Sequence, residues 1–95
     1  MTILKDKDLK VMLKEIKNWK YIKKTIKKDY SFKSYMESIE FINRLAIVAE
    51  KFNHHPDMIV GWCKVEVSYT SHDLGGVTQG CFEMAKKTNQ IFEDL

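Results

Sequence analysis

The spacing of apolar residues changes several times along this chain, and each change marks a boundary. Between Lys7 and Lys17, Leu9, Met12, Leu13 and Ile16 recur at three- and four-residue steps with lysines between them. That spacing predicts an amphipathic helix, with Asp6 or Asp8 placed to cap its start. From Trp19 to Phe32 the period falls to two. Ile22, Ile26, Tyr30 and Phe32 recur at two- and four-residue steps, with polar positions such as Lys24 and Lys28 between them. Two short strands with one wet face fit this pattern, with the turn expected near Lys27-Lys28-Asp29. From Ser34 to Phe52 the helical period returns. Ser34 and Glu37 have capping-box spacing, and Ile39, Ile42, Leu45, Ala46, Ala49 and Phe52 form one apolar stripe. Phe41 and Val48 fall off that stripe and widen the apolar surface. The extra width points to a subunit interface through this helix, with a broad monomer core as the competing explanation.

Met58 to Tyr69 is rich in strand formers, with Val65, Val67 and Tyr69 alternating against Lys64, Glu66 and Ser68. Either two strands joined near Gly61 to Lys64 or one long bent strand fits. Thr78 is placed to cap a final helix, with Val77 and Phe82 at hydrophobic-staple spacing. Cys81, Met84, Ala85, Thr88, Ile91 and Phe92 trace its inner stripe, so Cys81 is expected to be a small buried residue rather than a nucleophile. The order is α-β-β-α-β-β-α. An α+β fold accommodates it, with a four-stranded antiparallel sheet and the helices packed on one face. No repeat, linker or low-complexity stretch divides residues 1–95, which are expected to form one domain.

Composition narrows the function classes. At 95 residues and 44% hydrophobic, the chain has enough apolar content for a core and is not compositionally disordered. A chain this small often gains stability from oligomerisation. Its apolar runs are too short to span a bilayer, and Lys5, Asp6, Lys7 and Asp8 interrupt any signal-like segment. Cys63 and Cys81 form no CxxC motif, which suggests a reducing, cytoplasmic setting. Net charge is +3 but uneven: residues 1–33 carry eleven lysines against four acids, and residues 34–95 carry five basic groups against nine acids. Arg44 is the only arginine, whereas bidentate phosphate binding and base reading favour arginine. A solvated lysine surface is therefore expected in preference to a nucleic-acid site.

The candidate chemistry is concentrated in Glu50-Lys51-Phe52-Asn53-His54-His55-Pro56, with Trp62 and His72 further on. These stretches hold all three histidines, the side chains that exchange protons near neutral pH. Pro56 pushes His55 toward extended backbone, so the pair falls in a helix-to-strand connector. Adjacent extended residues point in opposite directions, which predicts different roles for His54 and His55.

The spacing of Glu50, His54-His55-Pro56, Trp62 and His72 resembles the signature of the pterin-4a-carbinolamine dehydratases. Trp19 and the run Thr70-Ser71-His72-Asp73-Leu74-Gly75-Gly76-Val77-Thr78 extend the resemblance to roughly Leu9–Phe92. One position departs: the family's Asp nine residues after the third histidine is replaced by Cys81. A thiol lacks a carboxylate's charge and its two acceptor oxygens. On this basis His72 is expected to be less firmly held.

The resemblance implies the same α+β architecture and dehydration of 4a-hydroxytetrahydrobiopterin to quinonoid dihydropterin, in tetrahydrobiopterin recycling. It implies His54 and His72 as the acid/base pair and His55 as the group that holds substrate. Glu50, Asn53, Trp62, Thr70, Ser71 and Asp73 are implied around the substrate. No metal or organic cofactor is implied, and a homodimer or homotetramer is expected. Three competitors stand beside this expectation. Three histidines could bind catalytic zinc, although an adjacent pair diverges. The fold could serve as a catalytically weak interaction module for a protein partner such as a transcription regulator. It could also combine both functions.

Overall fold

The computed structural model describes residues 2–95. Its elements run α1 (Asp6–Leu13), β1 (Lys20–Ile22), β2 (Thr25–Ser31), α2 (Tyr35–Phe52), β3 (Asp57–Gly61), β4 (Lys64–Tyr69) and α3 (Gln79–Glu93). The four strands form one antiparallel sheet in the order β1-β2-β4-β3. The expected α+β order is therefore present.

The sheet's two faces follow from the period of two. Val65, Val67 and Tyr69 of β4 are fully buried, and Ile26 and Tyr30 sit opposite Tyr69 and Val65 on β2. This face packs against Phe41, Leu45 and Ala49 of α2 and Phe82, Met84 and Ala85 of α3 in one core. The opposite face carries Lys27, Asp29, Lys64 and Glu66, which form the ion pairs Lys27–Glu66 and Lys64–Asp29. Both pairs are partly solvated, so they contribute little to stability.

Four local expectations need correction. Helix α1 ends at Leu13 rather than Lys17, and Ile16 is buried from the turn that follows. Lys5, not an aspartate, occupies its N-cap, with Asp6 and Asp8 in the first turn, where the helix dipole favours negative charge. The β1–β2 turn lies at Lys23-Lys24, both with positive φ (49° and 62°), and not at Lys27-Lys28-Asp29. Two left-handed residues match the strands' twist in a two-residue hairpin. The shift places Ile22 opposite Thr25, outside the core and exposed. In α2 the buried stripe is Ser38, Phe41, Leu45 and Ala49. Phe41 is thus core, whereas Ala46 and Phe52 are exposed and Ile39 and Ile42 are half-buried. The stripe's centre is set by Phe41 stacking among Tyr30, Phe32 and Phe92, with centroids 5.0–6.1 Å apart.

Ser34 caps α2 by accepting from the Glu37 N–H, and Glu37 accepts from the Lys33 N–H. Thr78 occupies the N-cap of α3, but its hydroxyl makes no capping bond. Val77 and Phe82 are both buried beside it.

Candidate functional site

Two connectors build the site. Helix α2 stops at Asn53, which adopts the left-handed conformation (φ 49°) that asparagine tolerates better than most residues. The His54 N–H donates back to the Ala49 carbonyl at 3.1 Å. This C-terminal turn directs His54 toward the start of α3, and Pro56 then carries the chain into β3. The second connector leaves β4 at Tyr69 and makes a tight loop. The Ser71 N–H donates to the Gly76 carbonyl (2.8 Å), and the Gly75 N–H donates to the Ser71 carbonyl (2.7 Å). Gly75 has φ +74°, a conformation glycine adopts without penalty. A Cβ on Gly76 would lie 3.0 Å from Ile3, so the loop packs closely against the N-terminal segment. His72 and Asp73 are carried on this loop.

The connectors enclose a cavity of about 300 Å³ lined by Asn53, His54, His55, Pro56, Asp57, Thr70, Ser71, His72 and Asp73. All three histidines face it, from positions separated by up to 18 residues in sequence. Each has a different partner. His55 Nε2 is hydrogen-bonded to Glu50, one turn back on α2. His72 Nε2 lies 3.5 Å from Asp57 Oδ2, an exposed ion pair when the ring is protonated. His54 Nε2 lies 3.5 Å from the buried Cys81 Sγ, and its ring meets Tyr69 edge-on with centroids 5.7 Å apart. Burial pushes the His54 pKa below 6.5, and the nearby His55 and His72 push it in the same direction. The ring is therefore biased toward its neutral form.

Beneath the site, Tyr69 is hydrogen-bonded through its hydroxyl to Thr88 at 2.7 Å, and Thr88 donates to the Met84 carbonyl. Burial pushes the Tyr69 phenol up to about 12, which holds it neutral. Thr70 faces the cavity while donating its hydroxyl to the Lys24 carbonyl at 2.8 Å, tying the second connector to the β1–β2 turn. Ser71 Oγ accepts from the Leu74 N–H and stiffens the loop.

Glu50, Asn53, Thr70, Ser71 and Asp73 are thus gathered around the histidines, Glu50 through its bond to His55. Trp62 is not. It sits in the β3–β4 turn, 84% exposed, and does not line the cavity. Leaving β3 at Gly61 takes it out of the sheet, so it is neither a cavity wall nor a core aromatic. Asp57 is the residue that sequence reasoning missed. Its position directly after Pro56, at the first residue of a strand beside the histidine pair, was the available signal. Cys81 is buried as expected, but it touches His54 rather than His72. His72 has Asp57 beside it instead. Among the described residues, no group of three or more His, Cys, Asp or Glu side chains is arranged to hold a metal ion.

Comparison with known proteins gives a consistent result. A family model described as pterin 4 alpha carbinolamine dehydratase matches residues 2–91. A relative from Sulfolobus acidocaldarius is 39% identical over 88 residues, covering 93% of this chain and 97% of the relative. One from Nitrosospira multiformis is 34% identical over 93 residues, covering 98% and 82%. Both carry a provisional pterin-4-alpha-carbinolamine dehydratase name. A crystal structure of a transcriptional coactivator/pterin dehydratase from Brucella melitensis superposes with TM-score 0.92 at 27% identity, covering 95% of this chain and 98% of that one. A pterin dehydratase-like RuBisCO assembly factor of the alpha-carboxysome shares the fold, with TM-score 0.65 at 19% identity over 78% of this chain and 86% of that one.

Proposed function

The chain belongs to the pterin 4 alpha carbinolamine dehydratase family, and on that premise we propose that it dehydrates a 4a-hydroxytetrahydropterin. The observation that carries this proposal is the convergence of its three histidines, from two separate connectors, on one small polar cavity. In the reaction, hydroxide leaves C4a and takes up a proton to become water. The N5–H bond gives up its proton, and its electron pair forms the N5=C4a double bond of quinonoid dihydropterin. Nothing is oxidised or reduced. The step needs a proton donor at the leaving oxygen and an acceptor at N5, each within hydrogen-bond reach.

His54 and His72 are the proposed acid/base pair. They approach from different connectors, so they can address different atoms of a flat ring. His55, held by Glu50, is the proposed orienting group. Backbone groups around Asn53 to His55 and Thr70 to Asp73 match a pterin's amide-like edge in chemical type, apart from the Asn53, His54 and Ser71 amides, which already donate to Glu50, Ala49 and Gly76. No organic cofactor or metal enters this scheme. Tetrahydrobiopterin recycling is the metabolic setting proposed, in the cytoplasm, where Cys63 and Cys81 would both stay as thiols.

A homo-oligomer, dimer or tetramer, belongs to the same proposal. Met36 and Ile47 are 73% and 71% exposed on the outer side of α2, and Ile59 and Trp62 are 67% and 84% exposed on or beside the edge strand β3. An unprotected edge strand with apolar side chains is suited to pairing with another chain. Sedimentation at several concentrations tests this.

The decisive assay follows dehydration of freshly generated 4a-hydroxytetrahydropterin by ultraviolet absorbance. Acceleration by the wild-type protein that collapses in folded His54→Ala and His72→Ala variants supports the proposal. No acceleration by folded wild type would favour an interaction module for a protein partner.

A further inference from the structure

Cys81 lies at the third position of α3, buried between two polar partners. His54 Nε2 is 3.5 Å from its sulfur on one side, and Thr78 Oγ1 is 3.6 Å away on the other. Both Cys81 and Thr78 have no exposed surface. Thr78 stands at the N-cap, where a threonine hydroxyl usually accepts from a free backbone amide, yet it makes no such bond. Its hydroxyl meets the Cys81 sulfur instead.

Counting hydrogens orders this row. Three sites need consideration: the Thr78 O–H, the Cys81 S–H, and whichever nitrogen of neutral His54 carries the proton. If His54 donated Nε2–H to sulfur, the S–H would turn to Thr78, and the threonine O–H would be left without an acceptor among the described contacts. If His54 and Thr78 both donated to sulfur, the buried S–H would be left over instead. If Thr78 donates to sulfur and sulfur donates to Nε2, both fully buried hydrogens, the Thr78 O–H and the Cys81 S–H, meet an acceptor, and the histidine proton moves to Nδ1 of a ring that is only half-buried. A buried donor without an acceptor is costly, so this last arrangement is favoured. The tautomer of a histidine is set by the bond its other nitrogen makes.

We propose that Cys81, backed by Thr78, is a positioning residue that fixes neutral His54 with its proton on Nδ1. The geometry makes position 81 a hydrogen-bond donor to His54. A carboxylate there would have the opposite polarity: it only accepts, so it would draw the proton to Nε2 and leave Nδ1 bare. In this chain, neutral His54 therefore offers an N–H from Nδ1. Accepting a proton at Nε2 requires the Cys81 S–H to turn away from the ring. The catalytic consequence rests on the dehydratase proposal, but the tautomer itself does not.

The test is ¹⁵N NMR of the histidine rings in the full chain, at a pH where His54 is neutral, with His54 assigned by its loss in His54→Gln. Wild type is expected to show Nδ1 protonated. Cys81→Ser, which keeps a donor, is expected to preserve that state. Cys81→Asp is expected to move the proton to Nε2 and, if the dehydratase proposal holds, to raise kcat more than it changes KM. A proton on Nε2 in wild type would overturn the proposal, as would an unchanged tautomer in folded Cys81→Asp. If Cys81→Asp fails to fold, wild type and Cys81→Ser still decide it. A confirmed tautomer in a protein without dehydratase activity would leave this inference standing and overturn only the function.

Discussion

Two polar clusters lie toward opposite ends of α3, and they terminate differently. Near its C-terminal end, Asn89 Oδ1 accepts from Trp19 Nε1 (3.1 Å), Lys28 Nζ (3.1 Å) and Tyr30 Oη (2.5 Å). Three donors from the β1 approach and from β2 close on one oxygen. Near the N-terminal end, Thr78, Cys81 and His54 form a row of single contacts that finishes on an imidazole facing a cavity. The first cluster ties elements together. The second leaves a ring nitrogen available for chemistry. Burial is similar in the two clusters; the difference lies in whether the hydrogen-bonding capacity is used up internally.

This contrast orders the experiments. The largest effect is expected at the open cluster. His54→Ala and His72→Ala should each lower the dehydration rate by roughly 10²–10⁴-fold, the range for losing a positioned acid or base, in chains that remain folded. Rates within a few-fold of wild type would break the comparison. The closed cluster should show the reverse. Asn89→Ala strands two buried donors, Trp19 Nε1 and Tyr30 Oη, and should cost about 2–3 kcal/mol in denaturant titrations while sparing kcat. A stability loss under about 0.5 kcal/mol would remove Asn89 as a tie.

Asp57→Asn sharpens the view of the open cluster. The carboxylate and His72 are both largely exposed, at 69% and 68%. An exposed pair is worth up to about 1 kcal/mol, so a rate loss of no more than about fivefold is expected. A hundredfold loss would give Asp57 a direct role with substrate.

The smallest effect is on stability against pH. The His54 pKa is lowered in the folded chain, first by burial and then by His55 and His72. The unfolded chain therefore takes up the proton first as pH falls. The stability attached to neutral His54 is complete above about pH 6.5 and is lost as pH drops toward and through the folded value. Relative to His54→Gln, wild type should thus lose stability between pH 7 and 5. A constant difference across that window would show that the ring is as freely solvated as an unfolded histidine.

The sequence by itself determined the order of elements, because periods of two and of three to four are local properties of the chain. It also located most of the candidate site. Three histidines, a proline and a Gly-Gly turn occupy two short stretches, and both stretches proved to be connectors at one end of the sheet. Tertiary structure decided what local pattern leaves degenerate. Phe41 and the Ile39–Ile42 flank are both apolar, and only packing against Tyr30, Phe32 and Phe92 selected Phe41 for the core. The turn moved to Lys23-Lys24 because pairing with β4 continues through Lys27, Lys28 and Asp29. Trp62 left the site because the strand ended one residue before it. Asp57 beside His72 and Cys81 beside His54 are contacts between residues 15 and 27 positions apart. A linear pattern fixes which way a side chain faces within its own element. It does not fix which histidine meets a group on a distant helix, because that depends on how α2 and α3 pack together on the sheet.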